Sequence, residues 1–301
     1  MNFIIPVENL EDNLGGVILY DPEKNEILKQ YVHTKKWKRV GWRGGILYRN
    51  YLIATDWNEI HYFDIHRWKY IRSFSKKTFN DLHYLFIWKN NLYVVNTGID
   101  AIEVFVNPVK PKLKKIHFIF NQNPIFQKRE IDLNKSYNEM YKLKHSCHPN
   151  CILVTKYGNF VTCFEDHTRR LKSGNIIDIK TGNLIISGFN CHDGILYDGN
   201  YYLSSTRENS ILVVRDFKEK IERDKFPLII NETIKIGKKG WWRGMVIYNN
   251  IMYLFASYGY GKTGSCQLAK VNLESKAIEI KRLPIKDGIK WNSVYQPNIL
   301  R

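Results

Sequence analysis

A short sequence phrase recurs four times, and each copy carries a basic or imidazole side chain at the same place. Each copy holds two β-prone apolar runs joined by a tight turn, as in Asn190–Leu203 with its turn at Asp198-Gly199. This is the pattern of a β-hairpin. When the copies are aligned on the aromatic residue before the turn, the residues five places earlier are Arg43, His83, His192 and Arg243. One position is therefore polar in every copy, within a strand that is otherwise apolar.

A fifth, less regular copy opens at His148-Pro149-Asn150 and adds a third histidine. Three imidazoles that face one another can bind a divalent metal ion through neutral nitrogens and leave positions open for water or substrate. Guanidinium groups supply planar donors that match carboxylate, phosphate or sulfate. A metal beside two arginines predicts a site for a small anionic molecule, where the ion lowers the pKa of a bound water or polarises a carbonyl.

The spacing of the copies indicates the architecture. Arg43 and Arg243 lie 200 residues apart, which is four steps of 50. A repeat of about 50 residues has the size of a four-stranded propeller blade, and six such repeats fit the 301 residues. The third blade would open at His148, because Pro149 is tolerated at the beginning of a strand. The sixth would be split, opening at Trp291-Asn292 and completed by the N-terminal strands before residue 33.

The sequence therefore predicts an all-β fold, a six-bladed β-propeller whose ring is closed by pairing of N- and C-terminal strands, with residues 1–301 as a single domain. A seven-bladed ring, or a five-bladed ring with an appendage, stays open because Val109–Lys144 fits the repeat least well.

In a propeller the first strand of each blade lines the central channel, so the polar opening residues are expected to converge. The predicted metal ligands are His83, His148 and His192. The predicted substrate-binding residues are Arg43, Arg243, Asn150 and Asn292. His192 and Arg243 are also the candidate catalytic residues.

Structural explanations exist for each of these residues. A single histidine at the start of a strand is most often a hydrogen-bonded structural residue, and Trp42-Arg43-Gly44 can simply tie blades together. Only the recurrence at one aligned place favours a function. Cys147-His148 and Cys191-His192 do not favour a zinc site, because neighbours on a strand point to opposite faces. Gly259–Gly264 lacks the spacing of a phosphate-binding loop, so we reject a nucleotide site there.

Composition restricts the class of protein. The net charge is +17, mostly from scattered lysines, which favours a solvated surface over a nucleic-acid site. The sequence has no RNA-binding or helix-turn-helix pattern, so we expect no specific nucleic-acid binding. Five cysteines, an odd number, suit a reducing compartment and buried free thiols. No signal peptide is recognised, and no apolar run approaches the roughly 18 residues of a membrane span. We expect a soluble, cytoplasmic protein with no membrane span.

The middle of the chain resembles a known family. The motifs that carry the resemblance occur over roughly residues 145–215, in the order His148–Ile152, Gly158–Thr162, Gly174–Ile179, Thr181-Gly182 and Cys191-His192. They resemble an uncharacterised bacterial propeller family, a domain of unknown function. The resemblance implies a propeller and marks His148, Asn150 and His192, and it implies no activity. The chain departs from the family in lacking a Gly-Trp-Arg segment between the histidine motifs, where Asp166–Lys172 stands instead.

A second resemblance is architectural. The channel with three histidines is similar to that of metal-dependent six-bladed propeller lyases and lactonases, and this implies a function only by analogy. We therefore predict a metal-dependent lyase or hydrolase that acts in the channel on a small anionic substrate, with sugar-derived compounds among the candidates. The alternative is a non-catalytic propeller that binds an acidic glycan, peptide or protein partner. The sequence leaves the substrate, the metal and the oligomeric state open.

Overall fold

The computed structural model describes residues 1–9, 12, 14–33, 41–137, 147–164, 174–223, 226–238, 240–257, 266–291, 293–294 and 296–300. The predicted site residue Asn292 and the segments Asp166–Lys172 and Gly259–Gly264 lie outside these ranges.

The described chain begins with three strands of a blade that we call the terminal blade, β1 (Asn2–Asn9), β2 (Leu14–Asp21) and β3 (Glu26–His33). The first blade holds β4 (Gly45–Tyr48), β5 (Tyr51–Thr55), β6 (Glu59–Asp64) and β7 (Lys69–Ser75). The second blade holds β8 (Leu82–Trp88), β9 (Asn91–Asn96), β10 (Ala101–Val106) and β11 (Lys112–Phe118), with short 3-10 turns at Thr97–Ile99 and Ile119–Asn121.

The third blade holds β12 (Pro149–Val154), β13 (Asn159–Cys163), β14 (Asn175–Asp178) and β15 (Leu184–Ser187). The fourth holds β16 (Cys191–Tyr197), β17 (Asn200–Ser205), β18 (Ser210–Val214), a short helix α1 (Phe217–Glu222) and β19 (Glu232–Lys235). The fifth holds β20 (Trp241–Tyr248), β21 (Ile251–Ser257), β22 (Gln267–Asn272) and β23 (Ile278–Arg282), and β24 (Ser293–Val294) and β25 (Asn298–Leu300) follow.

The sheets confirm the predicted fold, a six-bladed β-propeller. Each of the five internal blades is a four-stranded sheet whose strands are neighbours in chain order. The terminal blade is closed as predicted, because β24 and β25 both pair with β1, through Glu8 with Ser293 and Phe3 with Ile299. The ambiguous segment Val109–Lys144 begins with β11, which completes the second blade.

The recurring phrase forms the predicted hairpin in each copy. The aromatic residue pairs with the residue three places on, as in Trp88 with Asn91 and Tyr248 with Ile251. Both turn residues have positive φ in the second, fourth and fifth blades, for example Asn249 at 48° and Asn250 at 59°. Two consecutive positive φ angles define the type I′ turn, whose twist matches that of paired strands and which favours Asn, Asp and Gly.

The chain divides into two compact units, which we call the terminal unit (residues 1–74 and 236–301) and the middle unit (residues 75–235). The terminal unit holds the terminal, first and fifth blades, and the middle unit holds the other three. In each unit apolar cores join consecutive blades, such as Tyr84 with Ile152 in the middle unit and Phe3 with Phe255 in the terminal unit. The single-domain boundary 1–301 stays a prediction.

None of the helices formed by the described residues is long and apolar enough to cross a membrane.

Candidate functional site

A β-bulge accounts for the recurring polar position. The register shifts near the start of the first strand in four blades, where the residues within the shift are His83, Asn150, His192-Asp193 and Gly244. In the first blade, Arg43 and Gly44 both bond to Thr55, with Arg43 N–H donating to its carbonyl and Thr55 N–H donating to Gly44. A bulge re-aims side chains out of the regular alternation. The aligned polar residues of the sequence are therefore the residues of, or next to, these bulges.

The structure brings the three predicted histidines together within the middle unit. His83, His148 and His192 come from the second, third and fourth blades. The ring centroids of His83 and His148 lie 5.5 Å apart, and those of His83 and His192 lie 6.2 Å apart. His83 and His192 are buried, each with 7% of the surface exposed. We call these three residues the histidine cluster.

Two of the imidazoles are oriented by acceptors on their own strand or just before it. His192 Nδ1 lies 3.0 Å from Asp193 Oδ1. His83 Nδ1 lies 3.0 Å from the carbonyl of Asp81 and 3.6 Å from its carboxylate. Because these oxygens accept, Nδ1 is the donor in both rings, and in a neutral imidazole Nε2 is then the nitrogen without a proton. An acceptor on the second ring nitrogen is the arrangement that metal-binding histidines generally have.

His148 is held by a different device. Its φ of 41° places it in the left-handed region, which costs a residue other than glycine on the order of 1–3 kcal/mol. Asp100 Oδ1 accepts the N–H groups of His148 at 2.9 Å and Cys147 at 3.3 Å. The other carboxylate oxygen of Asp100 is bound by Arg129, and the His148 ring lies against Phe164. The buried Asp100 therefore anchors the backbone from which the third imidazole projects.

The donor atoms of the histidine cluster are too far apart to share one metal ion without a rearrangement. Among the residues that the structure describes, one set of three His, Cys, Asp or Glu side chains has donor atoms that all lie within 4.8 Å of one another, namely Asp56, Glu59 and His61. The histidine cluster is not such a set. Its donor types and tautomers suit a divalent metal, and binding one requires the imidazoles to approach one another.

Both predicted arginines contact the terminal blade, within the terminal unit. Arg43 Nη2 lies 3.9 Å from Glu8 Oε1, and Arg243 Nη2 donates a hydrogen bond of 3.1 Å to Ser293 Oγ. Glu8 and Ser293 are directly paired across β1 and β24. Arginines from the first and fifth blades thus both reach the terminal blade, at facing residues. We call Arg43, Arg243, Glu8 and Ser293 the arginine cluster.

Aromatic rings and a close backbone approach complete the surroundings of the arginines. The Arg43 guanidinium lies 5.0 Å from the centre of the Trp57 ring, and that of Arg243 lies 5.7 Å from Trp241, distances at which cation–π attraction operates. Trp241 is 55% exposed, whereas Arg243 is 5% exposed. A Cβ on Gly41 would lie 2.1 Å from Glu8 Oε1, so the Glu8 carboxylate packs directly on the backbone of Gly41.

Asn150 occupies the bulge of β12 and is buried. Its side-chain Nδ2 has no hydrogen-bond partner among the described residues. A buried unsatisfied amide costs about 1–3 kcal/mol, which makes Asn150 a candidate to bind a ligand, and its role in substrate binding stays a prediction.

The cysteines agree with the sequence interpretation. All five are buried and carry free thiols. Burial raises the pKa of Cys151, Cys191 and Cys266 far above the ordinary value, and the carboxylate of Asp193 adds to the effect at Cys151. These thiols are therefore neutral apolar core groups and poor metal ligands.

Sequence reasoning missed Glu8 and the set Asp56, Glu59 and His61. Glu8 lies outside the aligned phrase because it ends the second strand of the split terminal blade. A signal for the other set was present, because Glu59 and His61 alternate with apolar residues in a strand and so share one face.

Comparison with solved structures finds the propeller fold at low sequence identity. A streptogramin B lyase structure aligns over 83% of this chain and 70% of its own, with 10% identity and a TM-score of 0.51. The β-propeller domain of Myceliophteria thermophila Cps50 (Swd1) aligns over 92% and 95%, with 12% identity and a TM-score of 0.47. No protein-family model and no curated protein sequence matches the chain. The likeness to the lyase supports the fold alone, and membership of the propeller family named above stays a prediction.

Proposed function

We propose that the chain is a metal-dependent lyase or hydrolase acting on a small anionic substrate, with sugar-derived compounds among the candidates. One observation carries the proposal. Three imidazoles from three different blades meet in the middle unit, and in two of them an acceptor at Nδ1 fixes the orientation of the ring. Neutral imidazoles presented in this way are metal ligands and proton acceptors.

His83, His148 and His192 would hold the ion. A divalent metal bound there supplies a Lewis acid and lowers the pKa of a bound water. The chain's own contribution is orientation, since Asp81 and Asp193 fix two rings and Asp100 fixes the backbone of the third. By accepting from Nδ1, the Asp193 carboxylate holds the His192 ring in one orientation. His192 is proposed as the proton acceptor of the cluster in the metal-free protein.

Arg43 and Arg243 are proposed to bind the anionic group. Both are buried, both carry fork-shaped donors, and both approach the facing pair Glu8 and Ser293. Arg243 keeps its proposed catalytic role as the donor that stabilises negative charge on the substrate. Asn150 and Asn292 are proposed as further substrate contacts. The likeness to a streptogramin B lyase, at 10% identity, supports a lyase reaction only by analogy.

Metal analysis of protein prepared without a histidine tag tests the proposal. We expect the His83→Ala/His192→Ala double variant to hold one equivalent of metal less than the wild type. His117→Ala, a half-buried histidine on β11 of the same unit, is the matched control and should keep the metal. If the wild type and the double variant hold the same amount of metal, and chelation leaves the stability of the wild type unchanged, the proposal is wrong.

A second candidate is a protein that binds an acidic glycan, peptide or partner without turnover. The observation that favours it is the exposed Trp241 ring beside the buried Arg243, a combination of apolar face and positive charge that suits recognition. Recovery of an unchanged acidic ligand after prolonged incubation, with no product by mass spectrometry, would support this candidate over the enzyme.

A further inference from the structure

A second set of metal-binding side chains lies in the terminal unit, at the turn between β5 and β6. The donor atoms of Asp56, Glu59 and His61 all lie within 4.8 Å of one another. We propose that these three residues bind a divalent transition-metal ion, at a site separate from the histidine cluster and independent of the proposed function.

The local backbone presents the three side chains together. Asp56 Oδ1 accepts the N–H groups of Asn58 at 2.9 Å and Glu59 at 2.7 Å, which fixes the orientation of the carboxylate. Glu59 opens β6 and His61 follows two residues later. Residues i and i+2 of a strand point to the same face, so the Glu59 carboxylate and the His61 ring extend toward the same side as Asp56.

Burial and charge prepare the site for a cation. Asp56 and His61 are 2% and 0% exposed. His61 Nε2 lies 2.8 Å from Asp56 Oδ2. Two ligands bonded at about 2.0–2.2 Å to one tetrahedral ion lie about 3.4 Å apart, so binding an ion requires these two atoms to separate by about half an ångström.

An independent observation also points to a ligand. Trp42 stacks face to face on His61, with ring centroids 4.9 Å apart and planes 14° apart. Trp42 Nε1, Thr55 Oγ1 and His61 Nδ1 are buried and have no hydrogen-bond partner among the described residues. Buried polar atoms are rarely left unsatisfied in native proteins, and a bound ion or its water is one explanation when they are.

The donor set selects the class of metal. Calcium and magnesium prefer oxygen ligands only, whereas imidazole together with carboxylate suits Zn²⁺ or Mn²⁺. The next imidazole, that of His33 at the end of β3, has its ring centroid 5.4 Å from that of His61. Such an ion would join the β5–β6 turn to the strand that follows it, and would stabilise the terminal unit in proportion to the logarithm of its free concentration.

The experiment counts Zn²⁺ and Mn²⁺ in the full chain without a histidine tag, after chelation and reloading with each metal alone. In the His83→Ala/His192→Ala background, which removes the histidine cluster, we expect one equivalent to remain. Adding Glu59→Gln should remove that equivalent and abolish the metal-dependent rise in melting temperature. Glu59→Gln is nearly isosteric and keeps the Asp56–His61 contact, so it tests the site even if His61→Gln fails to fold.

Matched controls are Glu26→Gln and His66→Gln, which alter exposed residues of the same unit and should leave both readouts unchanged. No metal in the double-alanine background, or metal that persists in Glu59→Gln, would overturn the inference and leave Asp56 and His61 as a hydrogen-bonded pair. If the wild type and the double-alanine variant each hold one equivalent of metal, the histidine cluster binds none. That result would overturn the proposed function and not this site.

Discussion

The histidine cluster and the arginine cluster use the same bulge position in different ways. In the middle unit, His83 and His192 are oriented by Asp81 and Asp193, which lie within two residues along the chain. In the terminal unit, Arg43 and Arg243 are held by Glu8 and Ser293, which belong to another blade. A short imidazole needs a local acceptor to set its tautomer, whereas a long guanidinium reaches across to a neighbouring sheet. We therefore expect changes in the arginine cluster to affect folding, and changes around the histidines to affect chemistry.

The largest effect is expected for Glu8→Gln. Removing one member of a buried ion pair costs about 3–5 kcal/mol, and both Glu8 and Arg43 are buried. Urea unfolding should show this loss, whereas Glu26→Gln on the exposed side of the same blade should change stability by less than about 0.5 kcal/mol. Equal stability of the two variants would show that the arginine cluster is not structural, and the comparison with the histidine cluster would fail.

The next effect concerns anion binding. A charge-assisted arginine contact is worth about 1.5–3 kcal/mol, so losing one should weaken the binding of an anion by about ten-fold to a hundred-fold. Arg43→Lys and Arg243→Lys should both show this loss, because a point charge cannot reproduce the planar fork. The measurement is a thermal shift with phosphates, sulfates and sugar acids.

If both lysine variants lose stability before any ligand is added, and no anion stabilises the wild type, the arginines only join blades. That outcome would remove the proposed anion site and leave the histidine cluster untouched.

Asp193→Ala should act on chemistry more than on folding. Loss of an acceptor that orients a metal-binding imidazole typically costs about 10–100-fold in metal affinity or activity. Metal titration should show this decrease at the histidine cluster, and the exposed Glu222→Ala in the same unit is the control. Unchanged metal affinity in Asp193→Ala would mean that His192 does not need its local acceptor.

The smallest effect is a pH dependence at His117, outside both clusters. Burial and then the nearby Lys115 lower its pKa in the folded protein. The unfolded chain therefore takes up the proton first, and stability is lost as the pH falls below about 6.5, the ordinary histidine value. His117→Gln should reduce the loss of stability between pH 7 and pH 5. An unaltered pH profile would show that His117 titrates alike in both states.

Much of the architecture was predictable because its signals are local. Hairpins around turns such as Asn249-Asn250, the period of about 50 residues and the split terminal blade all follow from runs of apolar residues and turn types. The polar position at His83, His192 and Arg243 is visible for the same reason, since it recurs in every copy. Val109–Lys144 was ambiguous because β11 is an outer strand with four exposed residues at its start, and such a strand has no alternation to read.

By itself the sequence determined a propeller built from hairpin repeats, with six blades favoured over five or seven, and the polar residues at the start of the five internal blades, because these depend on spacing along the chain. Only the tertiary structure decided what holds those residues. Asp100 anchors His148 from 48 positions away, and Glu8 meets Arg43 only because the terminal blade closes beside the first. The bulges also determine where these side chains point, since the extra residue interrupts the alternation of faces that the sequence pattern predicts. Contacts between blades join residues that no local pattern relates, and the chemistry of both clusters depends on those contacts.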